Sequence, residues 1–429
     1  MRGEKVESNQ SQKSYLFFWS GQLFSLFGST VVYFAITWWI TIETGNPIFL
    51  SIASFLHIIS IVIVLPFAGV LSDRLNKKKL IMIADSSQVI ATVFLIIFFT
   101  LNILNIYVVF VIISIRSIFQ AIHLPTFNSI IPVMVPKEKL TRINGINSLF
   151  TGLVEITAPF VGATLLLTFS VKQVLWTDLI TFAIALIPLL IVQIPSVNDD
   201  KENEKRKNSF IKDFKIGFKT LRLIPGLLII LTLAMFQNLL IRPITTLMSY
   251  YVNVIHLGSV LDLAIVMGFL QGSMIFGALI ISLKKKWDHQ TRIYFLGLTT
   301  INIGYMMFAF VPMGSIIIIG ISAVVFGLFF PIVNSLYQTM IQSLVPKDKI
   351  GRITSIDFAL SMAIAPIGVL CSGFLTEILG LPNLIFYCAT IGIILSLIVW
   401  FVFAKKKIDY QNEIFLQNIN KHLEEIVIE

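Results

Sequence analysis

Residues 316–332 read IIIIGISAVVFGLFFPI, a run with no charge and no polar side chain larger than Ser322. A helix that is apolar on every side has no face for water and belongs in a buried core or a bilayer. Residues 58–71, IISIVIVLPFAGVL, have the same character. A transmembrane β-barrel would instead show segments of about ten residues with alternating polarity, so these runs are read as helices. Working outward, runs long enough to cross about 30 Å of hydrocarbon recur at 15–41, 47–71, 80–101, 105–131, 143–168 and 173–194. They resume at 223–250, 258–283, 292–311, 314–341, 353–379 and 382–404. The fold class is therefore an all-α polytopic membrane protein with twelve transmembrane helices.

Composition agrees. Of 429 residues, 56% are apolar and 13% charged, against about 25% charged in an average soluble domain. The net charge of +9 does not imply a nucleic-acid partner, because the cations are not gathered on a soluble face. They follow the rule that cytoplasmic loops retain Lys and Arg. Of 32 basic residues, all but Lys172, Arg116 and Arg242 fall on one side of a twelve-span topology. That places residues 1–14, the segment 195–222 and the tail 405–429 in the cytoplasm, and the protein in the cell membrane. The run from Tyr15 is too long for a signal-peptide core and is read as the first span. Cys371 and Cys388 lie within apolar spans, which excludes a disulfide framework or a zinc site.

The stretch 195–222, PSVNDDKENEKRKNSFIKDFKIGFKTLR, separates a bundle at 15–194 from one at 223–404. Within it Phe210, Phe214, Phe218 and Leu221 recur at helical spacing among lysines, as in an interfacial amphipathic helix; a disordered linker is the alternative. Phe415, Ile419, Leu423 and Ile426 share a face in the tail. The halves repeat each other. PTFNS (125–129) matches PIVNS (331–335), VPKEKLTRI (135–143) matches VPKDKIGRI (345–353), and Ala158-Pro159 matches Ala365-Pro366. Two pseudo-symmetric six-helix bundles with a midplane site between them are the architecture of alternating-access transporters.

Gly69-Val-Leu-Ser-Asp73-Arg74-Leu-Asn-Lys-Lys78 resembles the signature of the major facilitator superfamily between spans 2 and 3. The resemblance implies that Gly69 permits close helix approach, and that Asp73 and Arg74, with Lys78, form a cytoplasmic latch between the halves. Asp85 and Asp357, near the cytoplasmic ends of spans 3 and 11, are assigned to the same latch. The second half keeps Gly277 and Lys284 to Lys286 without an Asp-Arg pair. Gly152, Pro159 and Gly162 resemble the antiporter motif of span 5, and Arg116 resembles the span-4 arginine of proton-coupled members. Ile-Arg116-Ser-Ile, then His123-Leu-Pro125 and Leu-Thr-Arg142, resemble the drug:proton antiporter branch that includes bacterial macrolide-efflux proteins.

Ionisable groups inside a bilayer are expensive and by default functional. Arg116 and Glu155 fall at similar midplane depth on successive spans, and are read either as a proton-responsive pair or as a static packing bridge. Asp178, Asp262 and Arg242, near outer span ends, are read as gate residues or as hydrated interfacial charges, with Asp178 the next candidate for a proton carrier. His123 is read as a packing or hydrogen-bonding residue. Trp38, Gln237, Asn238, Gln271, Asn334 and Gln338 suggest a cavity for a bulky amphiphile, and interhelical hydrogen bonds explain them nearly as well. No Gly-Lys dipeptide occurs, so there is no Walker phosphate loop, no cofactor is expected and energy would come from a proton gradient. No nucleophile–base pair or metal cluster marks an enzyme. The expected activity is proton-coupled export of hydrophobic or amphiphilic compounds by a monomer whose partners are substrate, protons and lipid. The alternatives are an exporter of a specific metabolite, siderophore or lipid, and a non-transporting sensor or scaffold.

Overall fold

The computed structural model describes residues 2–194, 221, 224–284, 287–345 and 350–405. The amphipathic segments expected around 210–218 and 415–426 lie outside the described residues. Among the described residues, twelve helices are long and apolar enough to span a membrane: α1 Lys13–Thr44, α2 Pro47–Ser72, α3 Lys77–Thr100, α4 Ile106–Met134, α5 Leu140–Thr168 and α6 Val171–Ile191. The second set is α7 Leu227–Thr246, α8 Val260–Leu283, α9 Gln290–Phe310, α10 Ile316–Leu344, α11 Ile353–Leu379 and α12 Leu381–Lys405. No strand occurs among the described residues.

Local chemistry sets the ends. Asn46, Asn76 and Asn105 cap α2, α3 and α4, each side-chain oxygen accepting a backbone N–H of the first turn, which satisfies a donor that the helix leaves free. Pro47 follows its cap directly, where its missing N–H costs nothing. Gly380, at φ 77°, turns α11 into α12. The seventh span was expected to run to 250, but regular α-helix ends at Thr246. Pro243 lies inside its last turn and removes a hydrogen bond there. A short α-helical turn, Met248–Tyr250, and a π-helix, Tyr251–Ile255, follow.

The chain forms two compact units, Met1–Asn198 with Leu247–Gly268, and Asp199–Thr246 with Phe269–Glu429. In the first, α4 packs on α2 and α3, α1 on α5 and α6, and α3 on α6. In the second, α9 packs on α10 and α12, and α7 on α11 and α12. The pairs α3–α4, α1–α5, α3–α6 and α1–α6 thus recur as α9–α10, α7–α11, α9–α12 and α7–α12, the structural counterpart of the sequence repeat. Side chains such as Phe67, Phe94, Ile317 and Ile378 are exposed, as expected of helices whose outer faces meet lipid and whose backbones are satisfied internally.

Small residues bring helices together at particular points within each unit. A Cβ on Gly28 would lie 2.9 Å from Thr181 Cβ, one on Gly162 2.9 Å from Phe34 Cδ1, and one on Gly277 2.8 Å from Pro331 Cγ and against the Leu328 carbonyl. A Cβ on Gly69 would meet nothing within 4 Å. Within the first unit Gly69 thus makes no close approach, whereas its repeat counterpart Gly277 makes one in the second, between α8 and α10.

Candidate functional site

In the first unit, α4 carries Arg116 toward α3 and α6. Its Nη1 lies 2.6 Å from Asp178 Oδ2, also donates to the Thr92 hydroxyl, and reaches the Gln88 carbonyl at 3.2 Å. Thr92 Oγ1 donates to Asp178 Oδ2 at 2.6 Å, and Ser29 Oγ to Oδ1 at 3.1 Å. Four helices, α1, α3, α4 and α6, thus converge on one carboxylate, which is 2% exposed. Gly28 makes this possible, since its missing side chain lets α1 approach Thr181 one turn from Asp178.

This is not the pairing expected from depth. Glu155 is exposed on α5, which meets α1 around Val154 and Ala158, whereas α4 packs on α2 and α3. α4 and α5, though successive, are not among the closely packed pairs. Asp178 is correspondingly not a hydrated interfacial group. It sits about 10 Å below the start of α6 and Arg116 about 15 Å below that of α4, at ~1.5 Å per residue, a gap that a guanidinium stem spans.

Beside the pair is a cavity of about 180 Å³ lined by Leu26, Ser29, Thr30, Tyr33, Ile36, His57, Gln88, Ile113, Arg116, Ser117 and Gln120. His57 on α2 was not singled out from the sequence. Its Nδ1 is 2.7 Å from Ser117 Oγ and its ring centroid 5.0 Å from that of Tyr33. A lone histidine within an apolar span was the available signal.

The second unit holds a cavity of about 240 Å³ lined in part by Gln237, Asn238, Asn334, Gln338, Ser361 and Asp357, with Tyr294, Tyr337 and Phe330. Four of the six expected cavity residues are brought together here. Trp38 belongs to the first unit, and Gln271 is not among the lining residues. Gln237 also ties helices together, donating to the Gly392 carbonyl at 2.9 Å and Ser396 Oγ at 3.0 Å and accepting from Asn302 at 3.1 Å. A larger groove of about 600 Å³ along α3 and α4 is lined almost wholly by apolar residues, Phe94, Phe98 and Val111 among them, and carries none of the expected polar groups.

The Asp73 side chain lies outside the described residues, and Arg74 is exposed. Lys78 Nζ donates to the Leu190 and Val192 carbonyls at 2.7 and 2.8 Å, binding the end of α6, where unpaired carbonyls attract cations. Asp85 is buried, 3.5 Å from His123 Nε2; it lies two turns inside α3, too deep to meet Arg74. Asp357 accepts from Tyr337 Oη at 2.6 Å and faces the second cavity. Pro159 and Gly162 are buried in α5. Asp262 accepts from Ser259 N and Oγ at 2.8 and 2.7 Å, a local cap at the start of α8. No cluster of metal ligands occurs among the described residues.

Twelve apolar helices in two similarly packed units, one holding a buried ion pair beside a polar cavity, define a two-bundle membrane protein of the transporter class. Residues 18–366 match the family model of the Major Facilitator Superfamily, and the chain belongs to that superfamily. It is 26% identical over 396 residues to Macrolide efflux protein A of Streptococcus pyogenes, covering 91% of this chain and 96% of that protein. It is 20% identical to the Staphyloferrin A transporter of Staphylococcus aureus, covering 91% and 97%. Among solved structures, the nucleoside transporter NupG superposes with a TM-score of 0.73 at 15% identity, over 91% of this chain and 99% of that one. At that identity the likeness is one of fold.

Proposed function

We propose that this protein exports hydrophobic or amphiphilic compounds from the cell in exchange for protons, by alternating access. The observation that carries the coupling is the buried Arg116–Asp178 pair beside the cavity of the first unit. Protonating Asp178 cancels its charge, releases Arg116, and turns a neutral cavity wall into a cationic one. A buried pair is sensitive to such a change because each charge depends on the other for its solvation. The amides Asn238, Asn334 and Gln338, set among Tyr294, Tyr337 and Phe330, supply the mixed polar and aromatic lining that suits an amphiphile. The names of relatives, macrolide efflux and multidrug efflux, support the outward direction. No enzymatic step is assigned, and the proton gradient serves as the energy source of a monomeric carrier.

In cells carrying the protein, a panel of fluorescent and antibiotic solutes should accumulate less than in cells without it. The difference should widen when the external medium is acidified. Equal accumulation of every solute at both pH values would overturn the reading. The staphyloferrin relative favours a second reading, export of a specific metabolite or siderophore. Loss of one endogenous compound from the culture medium, with the panel unaffected, would select it.

Orientation follows from the basic loops: the two termini and residues 195–222 are cytoplasmic, in the cell membrane. With Asn203→Cys, the new thiol should resist an impermeant reagent in intact cells and react once the cells are opened. Labelling from outside would reverse the topology.

A further inference from the structure

A second buried titratable cluster lies in the first unit, on the cytoplasmic side of the Arg116–Asp178 pair. Asp85 on α3 is 4% exposed, and its Oδ1 is 3.5 Å from His123 Nε2 on α4. The same ring nitrogen lies 2.8 Å from Gln22 Oε1 on α1. Asp85 Oδ2 and Gln22 Nε2 are buried without a hydrogen-bond partner. Toward the cytoplasm the cluster is closed off by packed apolar residues that include Phe18, Trp19, Ile81, Phe127 and Ile131, with Phe127 stacked on the His123 ring.

The charge balance of the bundle makes this cluster a proton site. Arg116 on α4 and Asp178 on α6 neutralise each other. Lys77 and Lys78 at the start of α3 donate to backbone carbonyls. From α2, His57 bonds Ser117; from α1 the facing groups are the uncharged Gln22 and the Tyr15 phenol; and on α5 Glu155 is exposed. Among the described residues, the basic side chain within ion-pair distance of Asp85 is His123, which carries no permanent charge. An unbalanced carboxylate away from water is costly, and one proton removes the cost, either as an imidazolium beside a carboxylate or as an imidazole beside a carboxylic acid. Because Gln22 Oε1 is an acceptor, His123 Nε2 carries hydrogen in both forms, leaving Nδ1 or the orphaned Asp85 Oδ2 as the place where the exchangeable proton resides.

We propose that Asp85 and His123, held by Gln22, form a second proton-binding site in the first unit, distinct from Asp178. The two sites are joined along α3, where Asp85, Gln88 and Thr92 share one helix face. Gln88 meets Arg116 through its carbonyl, and Thr92 meets Asp178. The site does not depend on which solute is exported.

The test uses the full-length protein in detergent, with protons as the ligand. Proton uptake between about pH 8 and about pH 5 is counted with an indicator dye and compared with Asp85→Asn, which should take up about one proton fewer per chain. In the infrared, the Asp85 carboxyl band, in the acid region or, beside the imidazolium, in the carboxylate region, should vanish in Asp85→Asn, shift in His123→Gln, and persist in Asp178→Asn. The shift in His123→Gln reads the Asp85 carboxyl directly, so it holds the test should Asp85→Asn not fold. Wild-type proton uptake and an unchanged band in Asp85→Asn, or an unmoved band in His123→Gln, would overturn the inference. A response confined to Asp178→Asn would do so while leaving the coupling assigned to Asp178 intact.

Discussion

Arg116→Ala is expected to abolish uphill export and to lower the amount of folded protein. It strands Asp178, on which Ser29 and Thr92 also converge, as a buried anion. Removing one partner of a buried pair costs about 3–5 kcal/mol, a large part of the margin of a marginally stable fold. Asp178→Asn should be milder for folding, because an amide keeps an acceptor for Ser29 or Thr92 and fills the same volume. Its effect falls on coupling: export against a gradient should drop by about two orders of magnitude, corresponding to about 2.7 kcal/mol, and lose its dependence on external pH. Downhill exchange should remain measurable. Transport in inverted vesicles, with folded protein counted by size-exclusion chromatography, separates the two effects. Uphill pumping by Asp178→Asn at the wild-type rate would show that the coupling proton binds elsewhere.

Gly277→Ala should reduce folded protein more than Gly69→Leu, although the latter adds the larger side chain. At Gly277 the new Cβ would press on the Leu328 carbonyl and Pro331 of α10, and backbone cannot rotate aside as a side chain can. Overpacking of this kind costs typically 1–3 kcal/mol, occasionally more. At Gly69 a new Cβ would meet nothing within 4 Å, so the leucine enters without pressing on a neighbouring backbone. Thermal unfolding of the two purified variants would rank them, and a Gly277→Ala variant as stable as wild type would show that α8 and α10 can part without loss.

The count and limits of the spans were legible because bilayer thickness imposes a length on every apolar run. The eleventh was expected at 353–379 and its spanning stretch is Ile353–Leu379, in a helix that begins at Ile350; most others differ by two or three residues at an end. Distance along each span was legible as well, since rise per residue converts position into length. Neighbourhood was not. Arg116 and Glu155 were matched in depth, but nothing along a single chain states that α4 turns to α3 and α6 rather than to α5. Asp178 was misjudged for a related reason: it was set at the rim, while the length of an arginine side chain lets it partner a group about one turn away. Asp85 and His123 lie 38 positions apart in sequence, and only the packing of α3 against α4 joins them. The polar cavity of the second unit was more accessible, because Asn238, Asn334 and Gln338 are conspicuous in apolar helices.

Lys78 has a mechanical consequence. Its ammonium group rivets the first turn of α3 to the last carbonyls of α6, so the two helix ends travel as one piece. The connecting segment that begins at Pro195 therefore departs from a mooring shared by two helices. Any pull along that segment would be felt at the foot of α3, the helix that carries Asp85, Gln88 and Thr92, before it reached the rest of the bundle.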